Sequence, residues 1–215
     1  MKPDYVLPPG MALGLRSCLP DFRSPNEGAN RFVWPKSGHV SAPDWKADPN
    51  CGHGLHLLAH GEGDGSLLCY DKGAHWLVCE YDPTKAIDLD GKIKVPECTV
   101  VFCGDESTAP VWIKSHDPSA KLVVRSTNTG GDDSMNTGGD DSTNTGGVGS
   151  TNTGGVRSTN TGGDDSTVKS GEMGLIIIYW WDGTRRRVAV GYVGEDGIEP
   201  NTFYRCDERG KLVKT

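Results

Sequence analysis

Aromatic residues are scarce in this 215-residue chain, at 7%. No run approaches the roughly 18 consecutive apolar residues of a transmembrane helix, which excludes a helical span and leaves no membrane partner expected. The opening residues Met1-Lys2-Pro3-Asp4-Tyr5 hold no apolar stretch, so no secretory signal is read there. Basic residues are also few. The 22 Lys and Arg stand against 29 Asp and Glu, a net charge of −7, whereas a nucleic-acid binder needs a basic face; no direct nucleic-acid binding is expected. Cys18, Cys51, Cys69, Cys79, Cys98, Cys103 and Cys206 make an odd seven without tight pairing. With no secretory signal, this points to free thiols in a reducing compartment. Most read as small buried hydrophobes.

Glycine is plentiful, at 30 residues, and favours turns and short strands over long helices. Much of it belongs to a tandem repeat. From Ser126 the chain runs STNTGGDD, SMNTGGDD, STNTGGVG, STNTGGVR and STNTGGDD, then Ser166-Thr167. Six aspartates and one arginine give this block a charge of −5, leaving −2 for the rest. Such a composition suits disorder, because little apolar area offsets chain entropy. The fixed period of eight favours a β-solenoid instead, since a linker needs no register. Thr-Asn-Thr is a short β-capable stretch. Gly-Gly-Asp-Asp supplies the corner, with Gly expected at positive φ and Asp tolerating the turn. If two octads make one coil, five give a stack of roughly 12 Å, too short to stand uncapped.

The expected fold is mainly β: a β-rich N-terminal domain over 1–125, the octapeptide solenoid over 126–167 and a C-terminal β-meander cap over 168–215. Candidate strands of the first part are Met11–Cys18, Asn30–Trp34, His75–Tyr81, Lys92–Lys94 and Thr99–Cys103. His75–Tyr81 is dense enough in β formers to lie centrally in a sheet. Gly54–His60 reads as a helix or tight turn. In the tail, Gly174–Trp181 and Arg185–Val193 flank Asp182-Gly183, a hairpin signal, and Thr202–Cys206 and Lys211–Lys214 follow. The expected capping face is Leu175, Ile177, Val188 and Val190.

Gly14-Leu15-Arg16, Arg31-Phe32-Val33-Trp34-Pro35, Ala42-Pro43-Asp44-Trp45 and Cys51-Gly52-His53-Gly54-Leu55-His56 together resemble an uncharacterised family of bacteriophage and actinobacterial proteins. The octads and the closing Asp196-Gly197-Ile198-Glu199-Pro200-Asn201-Thr202-Phe203-Tyr204 are similar to the same family. The resemblance implies a phage or prophage origin and a bacterial host cytoplasm, with no activity attached. The octads depart from it in lacking small apolar residues at inward positions.

Chemistry concentrates between Cys51 and Asp64. His53, His56 and His60, with Cys51, are residue types that ligate zinc, and His56 and His60 would share a face in a helical turn. The second ligand pair of a structural zinc site is missing, and a Gly-rich turn with solvated histidines is the plainer reading. Cys51 could act as a nucleophile with His56 or His75 as base. The strand ending at Glu80 allows an ADP-ribosyltransferase-like alternative. Gly61–Gly65 lacks the Lys-Ser/Thr ending of a phosphate loop. In the repeat, Asp132, Asp133, Asp140, Asp141, Asp164 and Asp165 form corners of a kind that bind calcium in β-rolls. Thr127, Thr129 and their repeats resemble the threonine arrays of ice-binding solenoids. The leading expectation is a non-enzymatic phage interaction protein without a resident cofactor. Its rigid acidic rows would face a protein partner, as a host-defence inhibitor or a virion or assembly component, with self-association allowed. An enzyme built on Cys51 and His56, and a calcium- or ice-binding repeat protein, are the alternatives.

Overall fold

The computed structural model describes residues 5–25 and 32–215; the expected strand at Asn30–Trp34 begins outside them. The chain divides into two units that meet at Val123 and Val124. In the first, the strands are β1 (Ala12–Cys18), β2 (Gly38–Ser41), β3 (Leu55–Ala59), β4 (His75–Tyr81), β5 (Ile87–Asp88), β6 (Ile93–Val95) and β7 (Glu97–Gly104). They form one sheet in the order β2-β7-β4-β1-β3-β6-β5, every neighbouring pair antiparallel. β4 pairs with β1 along all seven residues and with β7 on its other side. Its apolar run reflects that interior place, where Trp76, Leu77, Val78 and Cys79 are all buried.

Gly54–His60 is not helical. Leu55 and Leu57 alternate inward along β3, which is held between β1 and β6, so tertiary pairing decides the conformation. The sequence reading missed the helix α1 (Ala109–His116). Its signal was present: Asp105 accepts hydrogen bonds from the backbone N–H groups of Ser107 and Thr108, and Pro110 stands in the first turn, where its missing N–H costs nothing. α1 buries Ala109 and Ile113 and packs on β1, β4 and β7.

The second unit is the β-solenoid. Its strands are β8 (Thr127–Thr129), β9 (Met135–Thr137), β10 (Thr143–Thr145), β11 (Thr151–Thr153), β12 (Thr159–Gly162), β13 (Thr167–Lys169), β14 (Leu175–Trp181), β15 (Arg186–Tyr192), β16 (Phe203–Cys206) and β17 (Leu212–Lys214). They alternate between two sheets, β15-β14-β12-β10-β8 and β17-β16-β13-β11-β9. One coil therefore takes two octads. The C-terminal strands extend both sheets as hairpins, β14–β15 on one and β16–β17 on the other.

The closing face has the opposite parity to the one expected. Ile176 and Ile178 point inward with Val168, Val193, Ile198 and Tyr204, whereas Val188 and Val190 are about half exposed, at 50% and 49%. Both parities of β14 are apolar, so alternation could not choose between them. Pairing in register with β12 does: Ile176 sits beside the inward Asn160, and Leu175 and Ile177 beside the outward Thr159 and Thr161.

Candidate functional site

Side chains alternate across a strand, so each Thr-Asn-Thr turns its asparagine inward and both threonines outward. On the first sheet, Thr127, Thr143 and Thr159 pair in one column and Thr129, Thr145 and Thr161 in the next. The columns repeat about every 4.8 Å from coil to coil and lie about 6.6 Å apart along the strand. Among the described residues no side-chain hydrogen bond engages these six hydroxyls. The second sheet carries a broken version of the grid, with Thr137, Thr151, Thr153 and Thr167 but Met135 and Lys169 in the remaining places. Met135 is 81% exposed.

The interior explains how so polar a repeat folds. Asn144, Asn152 and Asn160 are fully buried, as are Ser150, Ser158 and Ser166. The Asn128 side-chain amide donates to Asn144 Oδ1 at 2.7 Å, and Asn144 to Asn160 Oδ1 at 2.7 Å. Asn136 donates to Asn152 Oδ1 at 2.9 Å in the second column. Each of Asn128, Asn136 and Asn144 also reaches a Ser hydroxyl two residues earlier and a carbonyl of the facing sheet. Hydrogen-bond satisfaction thus replaces the missing small apolar core.

The corners also differ from expectation. Seven residues at a spacing of eight have positive φ: Arg125, Asp133, Asp141, Gly149, Arg157, Asp165 and Met173. The left-handed place is the octad's eighth, which holds aspartate in three of these seven cases. The paired glycines at the octad's fifth and sixth places, such as Gly146 and Gly147, serve close approach instead. A Cβ on Gly146 would collide with Ser150 Cβ, and one on Gly147 would lie 2.7 Å from the Asp132 backbone nitrogen. The same frame reveals a sixth, disguised octad, Ser166-Thr167-Val168-Lys169-Ser170-Gly171-Glu172-Met173, so the stack has about three coils.

The aspartates do not form continuous rows. One corner runs Asp132-Asp133, Val148-Gly149, Asp164-Asp165; the other runs Asp140-Asp141, Val156-Arg157, Glu172-Met173. Asp132 and Asp140 accept hydrogen bonds from the Val148 and Val156 backbone N–H groups at 2.9 Å, and Asp141 holds Arg157 through two contacts of 2.7 and 2.9 Å.

In the first unit, Cys51, His56, Arg16, Ser24 and Lys92 line a cavity of about 310 Å³. Lys92 Nζ lies 3.2 Å from Cys51 Sγ. His56 Nε2 accepts the Gly52 backbone N–H at 3.3 Å. His53 faces Asp44 at 3.4 Å, and His60 faces the buried Asp117 at 2.8 Å. His75 stacks on Phe22, and Glu80 accepts the Tyr5 hydroxyl at 2.7 Å. The three imidazoles are therefore held apart by separate partners. Among the described residues no three His, Cys, Asp or Glu side chains converge as a metal site would require, and no helix is long and apolar enough to cross a membrane.

The chain is similar to bacterial proteins named ice nucleation protein. One from Xanthomonas campestris pv. translucens is 40% identical over 110 residues, covering 49% of this chain and 7% of the relative. One from Pseudomonas syringae pv. syringae is 39% identical over 122 residues, covering 55% and 10%. Ice nucleation protein InaU of Pantoea ananas is 38% identical over 87 residues, covering 40% and 8%. The chain thus spans a tenth or less of each relative's length. No family model and no solved structure matches it. These relatives overturn the phage reading. The assignment to a bacteriophage and actinobacterial family, the role as a host-defence inhibitor or virion component facing a protein partner, and the cytoplasmic placement drawn from that origin all give way to bacterial relatives named for ice. The motifs behind the earlier resemblance are short Gly-, Pro- and Trp-containing segments, which tight turns and sheet cores demand whatever a protein's origin.

Proposed function

We propose that the threonine face of β8, β10 and β12 binds ice. The observation that carries this reading is the two-column grid of six outward threonines in one hydrogen-bonded sheet, and the likeness to ice nucleation proteins supports it. Each threonine presents a methyl group and a hydroxyl from a β-branched side chain with restricted χ1. Methyl groups in a fixed array order the water over them, while the hydroxyls anchor that layer through hydrogen bonds. The asparagine ladder and interlocked corners keep the array rigid, so its entropy is lost on folding rather than on contact with ice. A layer ordered at these spacings can merge with a growing ice lattice.

The opposite face is interrupted by Met135 and Lys169 and is the weaker of the two. Three coils cover far less than the ice embryo that must form before water freezes at mild supercooling. The proposed activity is therefore attachment to ice already present. Partition of fluorescently labelled protein into slowly grown ice tests it. The chain should be enriched in the ice, Thr145→Lys should abolish enrichment, and Thr153→Lys on the other face should retain most of it. Exclusion of the unaltered chain to the same extent as Thr145→Lys would defeat the reading.

A further inference from the structure

β15 ends its sheet. Its seven residues run in unbroken register against β14, and among the described residues no strand pairs with its other edge. Such edges are usually blunted by proline, a bulge or central charge. β15 has no proline, no bulge in its pairing with β14, and charge only at its start, in Arg186 and Arg187. Its outer face is apolar: Val188, Val190 and Tyr192 are 50%, 49% and 56% exposed and lie opposite Tyr179, Ile177 and Leu175 on β14. An apolar strip of this kind marks an interaction surface.

The two ends of the edge carry opposite charges. Arg185, Arg186 and Arg187 stand exposed at its start, Arg187 with a partner in Asp182 at 2.6 Å. Glu195 and Asp196 stand exposed just beyond its end. A two-fold axis reverses the strand and sets each end against its complement, while the apolar middle meets itself. The surface is thus self-complementary, as a symmetric dimer requires. An anionic lipid surface would suit the arginines but would be repelled by Glu195 and Asp196.

We propose that two copies of this chain join antiparallel along the free edges of their Arg186–Tyr192 strands, the Arg185–Arg186 end of one meeting the Glu195–Asp196 end of the other. Two five-stranded sheets then become one continuous sheet. The pairing stands independently of what the threonine face binds.

Sedimentation velocity of the full chain over a wide concentration range tests this. A reversible dimer is expected that weakens as salt rises, because its end contacts are charged. Val190→Lys sets like charges together near the axis and should leave a monomer with an unchanged circular dichroism spectrum. Arg185→Glu with Arg186→Glu should weaken the dimer by about tenfold or more, and adding Glu195→Arg and Asp196→Arg should restore it. A monomer at every concentration, a dimer indifferent to Val190→Lys, or failure of the reversed charges to restore pairing would each overturn the proposal. So would a monomer that binds anionic phospholipid vesicles through the same strip.

Discussion

Asn144 and Asn160 occupy the same place in successive coils, yet their substitution should differ. Asn144 gives its two amide protons to Ser142 Oγ, Thr153 O and Asn160 Oδ1 and accepts from Asn128. Asn144→Val strips partners from several buried groups and should cost about 2 kcal/mol. Asn160 is followed by Ile176, and its buried side-chain nitrogen has no partner among the described residues. Asn160→Val leaves the Asn144 amide with two acceptors, extends the apolar layer, and should change stability by less than about 1 kcal/mol. Urea melts of the two variants check the contrast. Glycine shows a similar dependence on place. A Cβ on Gly131 meets nothing within 4 Å, whereas one on Gly147 strikes the backbone of the coil before it. Gly131→Ala should be tolerated, and Gly147→Ala should cost about 2 kcal/mol, measured in the same melts. The thiols supply a pH dependence. Burial pushes Cys18 up to about 12, against the pull of Arg16, and burial with Asp207 and Asp164 pushes Cys206 up to about 11. Above the ordinary thiol value near 9 the unfolded chain releases protons that the native chain retains, so this stability is complete below pH 9 and is lost as pH rises through 11 and 12. Tm should fall over that interval, and Cys206→Ala should flatten its lower part.

At the scale of the element, the unit of the solenoid is the coil rather than the octad. Every parallel pair joins residues sixteen apart. Removing residues 143–158 takes out one coil and should leave a shorter stack that still ends on β14 and β16. Removing residues 143–150 alone sends each later strand to the opposite sheet. Ile176 would then follow the wrong asparagine column, and the Val168 and Tyr204 pairing would be displaced. The sixteen-residue deletion should keep a cooperative thermal transition and the eight-residue deletion should lose it, read by circular dichroism. Equal tolerance would refute the two-octad coil. The disguised sixth octad shows what the capping sequence does within this geometry. Val168 and Ile176 fill asparagine places, turning a hydrogen-bonded interior into an apolar one where the asparagine ladder must stop.

At the scale of the whole molecule, each unit owns its core. The first buries a cluster including Leu57, Leu77, Cys79, Val95 and Val100; the second buries Val168, Ile176, Ile178, Val193, Ile198 and Tyr204. Residues 124–215 expressed alone should fold cooperatively, and the intact chain should melt in two steps, as scanning calorimetry would show. A segment 124–215 that exchanges all its amides rapidly would contradict this. In the first unit Cys51, His53, His56 and His60 each meet a different partner: Lys92, Asp44, the Gly52 backbone and Asp117.

The octad by itself favoured a β-solenoid over a disordered spacer, because a strict period of eight implies register and Thr-Asn-Thr is a local β former; the two-octad coil was only a condition there, met by strands that pair sixteen residues apart, and the outward turn of the threonines came with that stacking. The strand at His75–Tyr81 and the Asp182-Gly183 hairpin were legible for the same local reason. Tertiary structure decided the rest. The parity of β14 was undecidable while both its faces were apolar, and the register with Thr159 and Thr161 settled it. Leu55–Ala59 became a strand because β1 and β6 flank it. The aspartates looked like a binding row until stacking divided them between two corners and turned Asp132 and Asp140 to the backbone. Sequence spacing placed three histidines close together, but the positive φ of His53 and His60 and the extended backbone of His56 point their rings to different partners.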